Sequence, residues 1–221
     1  MTEHERPAKP TPGTRGGRGL LITFEGGEGA GKSTQVSLLA EKLTAAGQMV
    51  VCLREPGGTP LGEALRELLL HRREEMTSEA ELLLFLAARA ELTRTVIQPA
   101  LETGAIVICD RFADSTFAYQ GYGRGLDLAA LRGLNDFATG GLQPDLTVLI
   151  DLPVEVGRIR KRQDEDAFQR EREEFHERVR RAYRELAHGE PARWLVLDGL
   201  LPPDDVAGAV SDRVSALLPP G

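Results

Sequence analysis

The sequence predicts an α/β protein of three layers, in which helices cover both faces of a five-stranded parallel sheet. Short apolar runs that are typical of buried strands alternate along the chain with longer stretches that have the apolar spacing of helices. Strands that alternate with helices in this way form parallel sheets, because each helix returns the chain to the starting edge of the sheet. The 221 residues are enough for one domain with a complete hydrophobic core.

Five runs of apolar and β-branched residues are predicted as strands. In chain order they are residues 20–24, 50–54, 105–110, 146–151 and 194–198. The carboxyl ends of parallel strands lie along one edge of a sheet, and folds of this class bind their ligands at that edge. The residues that follow the five strands are therefore the first candidates for a functional site.

The helices between these strands are predicted from capping residues and apolar spacing. Thr59 followed by Pro60 is typical of a helix start, and Ser78 with Glu81 forms a capping box before a long helix. Gly47 is expected to end the first helix. The predicted helices are residues 33–46, a helix that begins at residue 60, and residues 78–101, 127–138, 154–162, 168–187 and 204–217.

A glycine-rich loop follows the first predicted strand. Gly26, four further residues and then Gly31-Lys32-Ser33 match the pattern G-x-x-x-x-G-K-[ST], which defines a P-loop. The backbone N–H groups of such a loop surround phosphate oxygens, Lys32 reaches the β- and γ-phosphates, and Ser33 holds Mg²⁺. An ordinary βα turn would not need the lysine and the serine in this register. The predicted triphosphate-binding residues are Gly26, Gly27, Glu28, Gly29, Ala30, Gly31, Lys32, Ser33 and Thr34.

Composition and charge argue against several classes of protein. The net charge of −7 disfavours a general nucleic-acid coat protein, and no apolar run approaches a membrane span or a signal peptide. Cys52 and Cys109 lie in apolar runs, which favours buried free thiols in a reducing cytoplasm over a disulfide. We therefore expect a cytoplasmic protein without a nucleic-acid or membrane partner. Residues 1–18 are expected to be a disordered tail before a single domain in residues 19–221.

Charged residues stand at the ends of the second and third predicted strands. Arg54 predicts an anion site at the ligand edge, although the Gly-Gly pair in the turn after it is equally consistent with a simple turn. Asp110 ends the third strand, where P-loop enzymes hold a carboxylate near Mg²⁺. Arg111 would be costly to bury without an anion; a neighbouring Asp-Arg pair without a function is the alternative.

Two helical segments carry further candidates. Phe85 and Arg89 lie four residues apart and share one helix face, where a ring could stack on a planar base and a guanidinium could bond to its carbonyl group. Their spacing alone favours a core phenylalanine and a surface arginine. Residues 158–184 are rich in arginine, and the start of this segment breaks the apolar spacing of a helix. It is either a solvated charged helix or a mobile lid that brings a cation to a transferred phosphoryl group.

Three motifs resemble those of the thymidylate kinase family. They are FEGGEGAGKST at residues 24–34, REPGGTPLGE at 54–63 and CDRFADSTFAYQG at 109–121, and FLAAR at 85–89 supports them. The resemblance extends from Gly19 to about Leu217. It implies a P-loop fold, transfer of the γ-phosphoryl group of ATP to dTMP for dTTP synthesis, Mg²⁺ as cofactor, and a homodimer.

The resemblance also implies roles for residues around dTMP. Arg54 and Arg111 would bind the 5′-phosphate, and Glu28 would contact the sugar 3′-hydroxyl, which gives the loop carboxylate a purpose. Phe85 would stack on thymine, and Arg89 would bond to a ring carbonyl. The dTMP-binding residues implied are Glu28, Arg54, Phe85, Arg89, Arg111, Ser115, Thr116 and Tyr119, the last near the sugar 2′ position.

The source of the catalytic cation follows from the same resemblance. The loop has no basic residue after Glu28, so the arginine is expected from a lid near residues 158–170, as in the bacterial subgroup of the family. Arg158 and Arg162 share a helix face and rank above Arg160, with Arg162 first. The residues implied to be catalytic are Lys32, Arg162, Arg158, Glu28 and Asp110, and those implied to hold the metal are Ser33 and Asp110.

One segment departs from the family pattern, which often has Asp-Arg-aromatic-Glu after the lid. Here the residues are Asp166-Ala167-Phe168-Gln169, which weakens any assignment of roles in that segment.

Other classes of P-loop protein fit the sequence less well. A GTPase switch would need an Asn-Lys-x-Asp guanine reader, and the single asparagine, Asn135, is not in one. A nucleoside kinase would need no second phosphate site, so Arg54 and Arg111 disfavour it, and the short chain disfavours an assembly ATPase. Another pyrimidine nucleotide or nucleoside kinase of the P-loop class remains the alternative.

Overall fold

The sheet has five parallel strands, as the sequence predicts. A computed structural model of the protein describes residues 18–71, 75–160, 168 and 171–218. The strands are paired in the order β2-β3-β1-β4-β5. Because β1 and β3 are neighbours, the loops that follow them meet at the same place on the carboxyl edge. The strands are β1 Leu21–Glu25, β2 Val50–Arg54, β3 Ile106–Asp110, β4 Leu146–Asp151 and β5 Trp194–Asp198.

Helices pack on both faces of this sheet, so the predicted three-layer α/β/α fold is confirmed. On one face, Ile22 and Val148 pack with Leu39 of α1 and Val210 of α9. On the other face, Leu149 packs with residues of α8. The α-helices of the described residues are α1 Lys32–Ala45, α2 Pro60–Leu70, α3 Ser78–Leu92, α4 Gln98–Glu102, α5 Ala113–Thr116, α6 Leu128–Thr139, α7 Val154–Arg160, α8 Glu173–Gly189 and α9 Pro203–Ser215.

The predicted capping box at the start of α3 is wrong. Thr77 is the N-cap, and its side chain accepts a hydrogen bond from the Ala80 N–H at 3.3 Å. Glu81 is buried and accepts a hydrogen bond from Gln120 instead of returning to the start of the helix. Its carboxylate also pairs with Arg124 at 3.1 Å, so a tertiary ion pair has replaced the local cap.

The long helix predicted for residues 78–101 is continuous but not uniform. A π-helical segment, Thr93–Ile97, separates α3 from α4. Pro99 near the start of α4 has no N–H to donate to the preceding turn, and a wider turn before it accommodates that missing bond. A second π-helical segment, Phe117–Gly123, continues α5 where the sequence predicts no helix. It packs against α8, so tertiary contacts form a helix that local propensity does not predict.

Several predictions for the chain ends and the lid fall on residues that the structure does not describe. Of the predicted tail, only Arg18 belongs to the described residues, and so do only Arg158, Ile159, Arg160 and Phe168 of the predicted lid. Arg162, Asp166, Ala167 and Gln169 therefore lie outside the described residues. The helix predicted from residue 168 is α8, which begins at Glu173.

The two cysteines are free, but only one is buried. Cys109 lies in β3, which has a neighbouring strand on each side, whereas Cys52 is exposed because β2 is an edge strand. The prediction of two buried thiols is therefore wrong for Cys52. In the described part of the chain, no helix has the length and apolar character that crossing a membrane requires.

Candidate active site

A cavity of about 660 Å³ opens at the carboxyl edge of the sheet. The P-loop after β1 lies at its middle, because β1 is the central strand. Residues that follow β2 and β3 line one side, together with the helix face of Phe85 and Arg89. Residues that follow β5 line the other side, including Gly199, Leu201 and Pro203. The cavity is therefore long enough to reach from the β2 side of the sheet to the β5 side.

The glycines of the P-loop adopt backbone conformations that residues with side chains disfavour. Gly26, Gly29 and Gly31 have positive φ angles of 139°, 67° and 95°. A Cβ atom at Gly26 would lie 2.5 Å from the Ile150 carbonyl oxygen, so this position has no room for a side chain. No side chain caps α1, and residues 29–34 line the cavity, as a phosphate site at a helix N-terminus requires.

Lys32 is buried within this loop. Its Nζ donates to the carbonyl oxygens of Gly26 at 3.1 Å and Gly27 at 2.8 Å. Burial, with a further contribution from the Arg111 guanidinium, lowers the pKa of Lys32 to about 8. The ammonium group is thus held beside the loop in a place where an incoming phosphate would compensate its loss of solvation.

The two residues predicted to hold the metal are in contact. Ser33 Oγ donates to Asp110 Oδ2 at 2.7 Å, and both residues line the cavity. Among the described residues, no group of three or more His, Cys, Asp or Glu side chains could hold a metal ion. A hydroxyl and one carboxylate suit Mg²⁺, which completes its octahedron with water and substrate phosphates. The pair therefore fits a magnesium ion that arrives with a nucleotide.

Glu28 of the P-loop pairs with Arg111. Arg111 Nη2 donates to Glu28 Oε1 at 2.6 Å, and Arg111 Nη1 donates to the Gly26 carbonyl at 3.1 Å. Arg111 is also the one non-glycine residue with a positive φ angle, 72°, in the described part of the chain. The carboxylate in the loop thus neutralises a cation that projects from the neighbouring strand end.

Arg54 lines the same cavity from the end of β2. Its Nη2 donates to Glu63 Oε2 at 3.0 Å, and the side chain is more than half exposed. Glu63 Oε1 in turn accepts the Gly58 N–H, and this bond is the main reason why the pKa of Glu63 is lowered. Arg54 is therefore held at the cavity wall with its guanidinium still open to solvent.

Arg89 is buried, so the alternative of a surface arginine is wrong. Only 1% of Arg89 is exposed, and Phe85 beside it is half-buried. Its Nε and Nη2 donate to Glu55 Oε2 at 2.8 and 2.6 Å. Its remaining bonds go to Thr116 Oγ1, Asn135 Oδ1 and the Phe112 carbonyl, so all five guanidinium N–H groups have protein acceptors. Burial raises the pKa of Glu55, and the adjacent guanidinium opposes that shift.

The aromatic wall of the cavity is made by residues from three segments. Phe85 packs against Phe168 with ring centroids 5.8 Å apart, and Tyr119 packs edge-on against the same ring at 5.7 Å. Ser115 and Thr116 line the cavity next to them. All eight residues predicted for the dTMP side therefore line one cavity.

The predicted lid arginines lie in different places. Arg158 is exposed, pairs with Glu173 at 3.2 Å, and lines a smaller cavity of about 90 Å³ on another side of Glu28. Arg160 lines the main cavity, and its Nη1 donates to the Gly199 carbonyl at 3.2 Å on the β5 side.

Sequence reasoning missed several residues that shape the site. Glu25, the last residue of β1, is fully buried, and burial, together with Asp114, raises its pKa to about 7. Tyr183 of α8 donates to Glu25 at 2.8 Å, and Gln120 lines the cavity. A carboxylate at the end of a buried strand is the signal that identified Asp110, and it could also have identified Glu25. No local pattern distinguishes Tyr183 from other helical residues.

The cavity combines a P-loop with a second group of cations, and comparisons with known proteins identify the family that the chain belongs to. The family model described as thymidylate kinase matches residues 24–210. The chain belongs to the thymidylate kinase family. The thymidylate kinase of Desulfovibrio desulfuricans is 52% identical over 209 residues, which cover 90% of this chain and 96% of the relative. That of Deinococcus radiodurans is 49% identical over 200 residues, with 90% and 97% covered.

A solved structure of this family has the same fold. The crystal structure of thymidylate kinase from Ehrlichia chaffeensis superposes with a TM-score of 0.75 at 37% sequence identity. The superposed region covers 91% of this chain and 100% of the Ehrlichia chaffeensis chain. Membership in the thymidylate kinase family confirms the resemblance found in the three sequence motifs.

Proposed function

We propose that the cavity at the carboxyl edge of the sheet is where this thymidylate kinase holds its two substrates. The reaction is that of the family: the γ-phosphoryl group of ATP passes to dTMP and gives dTDP and ADP, a step of dTTP synthesis. The observation that carries the placement is that the P-loop and the arginine pair Arg54 and Arg111 line one cavity. Two phosphate sites facing each other are what transfer between two nucleotides requires.

ATP occupies the P-loop. Its phosphates replace the carbonyl groups of Gly26 and Gly27 as partners of Lys32, and the N–H groups at the start of α1 complete the phosphate site. Its nucleoside extends towards the β5 side, where Arg160 is held by the Gly199 carbonyl. The ATP-binding residues are those of the loop, from Gly26 to Thr34.

dTMP occupies the β2 side of the cavity. Arg54 and Arg111 bind its 5′-phosphate, and Glu28, already bonded to Arg111, accepts the sugar 3′-hydroxyl. Phe85 stacks on thymine. Because every N–H of Arg89 already has a protein acceptor, its bond to a thymine carbonyl shares one of those donors. Ser115, Thr116 and Tyr119 line the nucleoside pocket, with Tyr119 near the 2′ position.

Mg²⁺ is the cofactor, held by Ser33 and Asp110 with phosphate oxygens of ATP. When bound, it neutralises charge on the phosphates. The chain's own groups position the two phosphates in line and stabilise the transferred group, so no covalent enzyme intermediate is needed. Lys32 approaches the transferred phosphoryl group from the loop. A lid near residues 158–170 supplies the catalytic arginine, which is Arg162 or Arg158. The loop and the lid belong to a single domain, residues 19–221.

The protein is a cytoplasmic homodimer without nucleic-acid or membrane partners. Its helix α3 packs against α2 and against α6, and all three helices expose large apolar side chains. Phe137 of α6 is 86% exposed, which is unusual for a phenylalanine with no partner to cover it. The apolar residues exposed on these helices are Leu61, Leu68, Leu83, Leu128, Leu134 and Phe137.

A steady-state assay tests the substrate assignment. ADP release is measured with ATP and Mg²⁺ and with dTMP, dUMP, dCMP or thymidine as acceptor. The highest kcat/KM is expected for dTMP. Equal or faster turnover of thymidine would show that the arginines on the β2 side do not hold an acceptor phosphate, and a preference for dCMP would exclude the proposed role of Arg89.

A further inference from the structure

Glu25 lies at the end of the central strand and has no direct task in the proposed reaction. It is fully buried, yet its carboxylate accepts three hydrogen bonds. Oε1 accepts the Phe112 N–H at 2.8 Å, and Oε2 accepts from Ser115 Oγ at 2.6 Å and from the Tyr183 hydroxyl at 2.8 Å. All three donors surround Arg111, so the arrangement points to Arg111 as the group being positioned.

The hydrogen-bond network around Glu25 fixes the backbone of Arg111. A φ angle of 72° is unfavourable for a residue with a side chain. The peptide groups on both sides are tied to β1: the Arg111 N–H donates to the Phe24 carbonyl at 2.9 Å, and the next N–H donates to Glu25. Glu25 therefore holds the conformation that turns the Arg111 side chain into the cavity.

The same network also fixes the guanidinium group of Arg111. Its Nη1 donates to the Tyr183 hydroxyl at 3.2 Å, while its Nη2 is drawn to Glu28 at 2.6 Å. Tyr183 is 1% exposed, and its hydroxyl oxygen lies 2.8 Å from Ser115 Oγ, so both hydroxyls face the same carboxylate oxygen of Glu25. The tyrosine is thus itself fixed, and it opposes the pull of Glu28 on the other end of the same guanidinium.

We propose that Glu25 and Tyr183 are positioning residues for the acceptor phosphate, and that they act by holding Arg111. The inference rests on the proposed role of Arg111 in binding the phosphate of dTMP. Tyr183 belongs to α8, the helix that follows the predicted lid, so it connects that helix to the acceptor site. Glu25 and Tyr183 are not among the described residues that line the cavity, so in this proposal both act on the acceptor phosphate through Arg111.

Tyr183→Phe is the variant that tests this inference. It removes one hydroxyl and keeps the ring that packs against Tyr119. We expect KM for dTMP to rise about 3- to 10-fold, the usual effect of one lost hydrogen bond, with KM for ATP and kcat within twofold. Tyr122→Phe is the matched control, because Tyr122 packs in the same apolar cluster but bonds to Glu185. The KM values and kcat of this control variant should not change.

Glu25→Gln is the second variant, which keeps the size of the side chain but cannot accept three donors at once. We expect a larger rise in KM for dTMP, about 10-fold or more, because one carboxylate oxygen becomes an amide nitrogen, which cannot accept the hydrogen bonds made at that position. Far-ultraviolet circular dichroism and the melting temperature report whether each variant folds. If Glu25→Gln does not fold, Tyr183→Phe decides alone.

The dependence on Arg111 is tested by combining substitutions. In an Arg111→Ala background, Tyr183→Phe should produce no further change in kcat/KM for dTMP, because the group it positions is gone. Additive effects would overturn the inference, and so would a Tyr183→Phe enzyme with an unchanged KM for dTMP. If Arg111→Ala itself leaves kcat/KM for dTMP unchanged, the proposed acceptor site is wrong, which is a separate failure.

Discussion

Lys32 shows how burial tunes a single residue of the site. Its ammonium group is desolvated inside the P-loop, and its pKa of about 8 lies close to physiological pH. ATP phosphates favour the charged form, so binding must raise this pKa again. Above pH 8 the free protein has largely lost the proton, and ATP must restore it.

We therefore predict that ATP affinity falls as the pH rises through about 8 and that ATP binding takes up a proton in that range. Titration calorimetry in buffers of different ionisation enthalpy measures the uptake directly. Lys32→Met should bind ATP weakly and without the pH-dependent uptake. An uptake that stays near zero from pH 7 to 9 in the parent protein would contradict the shifted pKa.

The Arg89–Glu55 ion pair is a buried counterpart to the exposed Arg54–Glu63 pair. Its two side chains are 1% and 4% exposed, against 57% and 46% for the other. Arg89→Ala should lower the free energy of unfolding by about 3–5 kcal/mol, because it leaves a carboxylate buried without its partner. Arg54→Ala should cost about 1 kcal/mol or less.

Urea unfolding at neutral pH measures the loss in free energy of unfolding for Arg89→Ala and for Arg54→Ala. Equal costs would show that burial does not distinguish the two pairs. If Arg89→Ala folds, its ratio of kcat/KM for dTMP over dCMP should also decrease, because only a donor to the ring carbonyl favours thymine at that position.

At the scale of single residues, the sequence predicted site residues that belong to motifs and missed those that reach the site from distant parts of the chain. Lys32, Ser33, Asp110 and Arg111 have neighbours in the chain that make their chemistry recognisable. Glu25 and Tyr183 are 158 positions apart, and only the packing of α8 on the sheet brings them into contact. A single sequence contains no signal for such a pair.

At the scale of elements, the strands were predicted to within a residue, because five short runs of apolar and β-branched residues have few alternative interpretations. The errors fall where tertiary contacts override local preference. Glu81 pairs with Arg124 instead of capping α3, and the segment Phe117–Gly123 is helical because α8 packs against it. Glu81 and Arg124 are 43 positions apart, so the capping-box pattern could not reveal the competing ion pair.

The next prediction concerns Arg158 and Arg160 of α7 and the predicted lid residue Arg162, which lies outside the described residues. Arg160 is held at the β5 side by Gly199, so Arg160→Ala should raise KM for ATP and leave kcat largely unchanged. Arg158→Ala or Arg162→Ala should lower kcat at saturating substrates by about 100-fold or more, with KM values little changed, because an arginine that meets only the transition state acts on kcat.

Arg160→Ala is the internal control for these two lid variants, since it removes the same charge from the same segment. The lid hypothesis is excluded if all three variants keep kcat within a few-fold of the parent enzyme. The cation must then be supplied by Arg54, Arg111 or Lys32.

At the scale of the whole molecule, the apolar side chains exposed on α2, α3 and α6 bear on the oligomeric state. Phe137→Glu should convert the proposed homodimer into a monomer, because a buried phenylalanine contributes about 1.5–3 kcal/mol and a charge in its place opposes association. Sedimentation velocity at micromolar concentration measures the change. Met49→Glu is the control, since Met49 is 60% exposed, precedes the edge strand β2 and contacts Thr103, which is not part of these helices. A parent protein that sediments as a monomer would disprove the homodimer.

The ion pair between Glu28 and Arg111 has a consequence for which anions the enzyme admits. Before any substrate arrives, Arg111, which we propose binds the acceptor phosphate, already has a carboxylate partner at 2.6 Å. Free phosphate or a polyphosphate must weaken that bond and offers Glu28 nothing in return. A nucleoside monophosphate with a 3′-hydroxyl brings its own donor for the released carboxylate. In the proposed acceptor site, the loop glutamate therefore competes with simple anions for Arg111 and makes them poor occupants of that site.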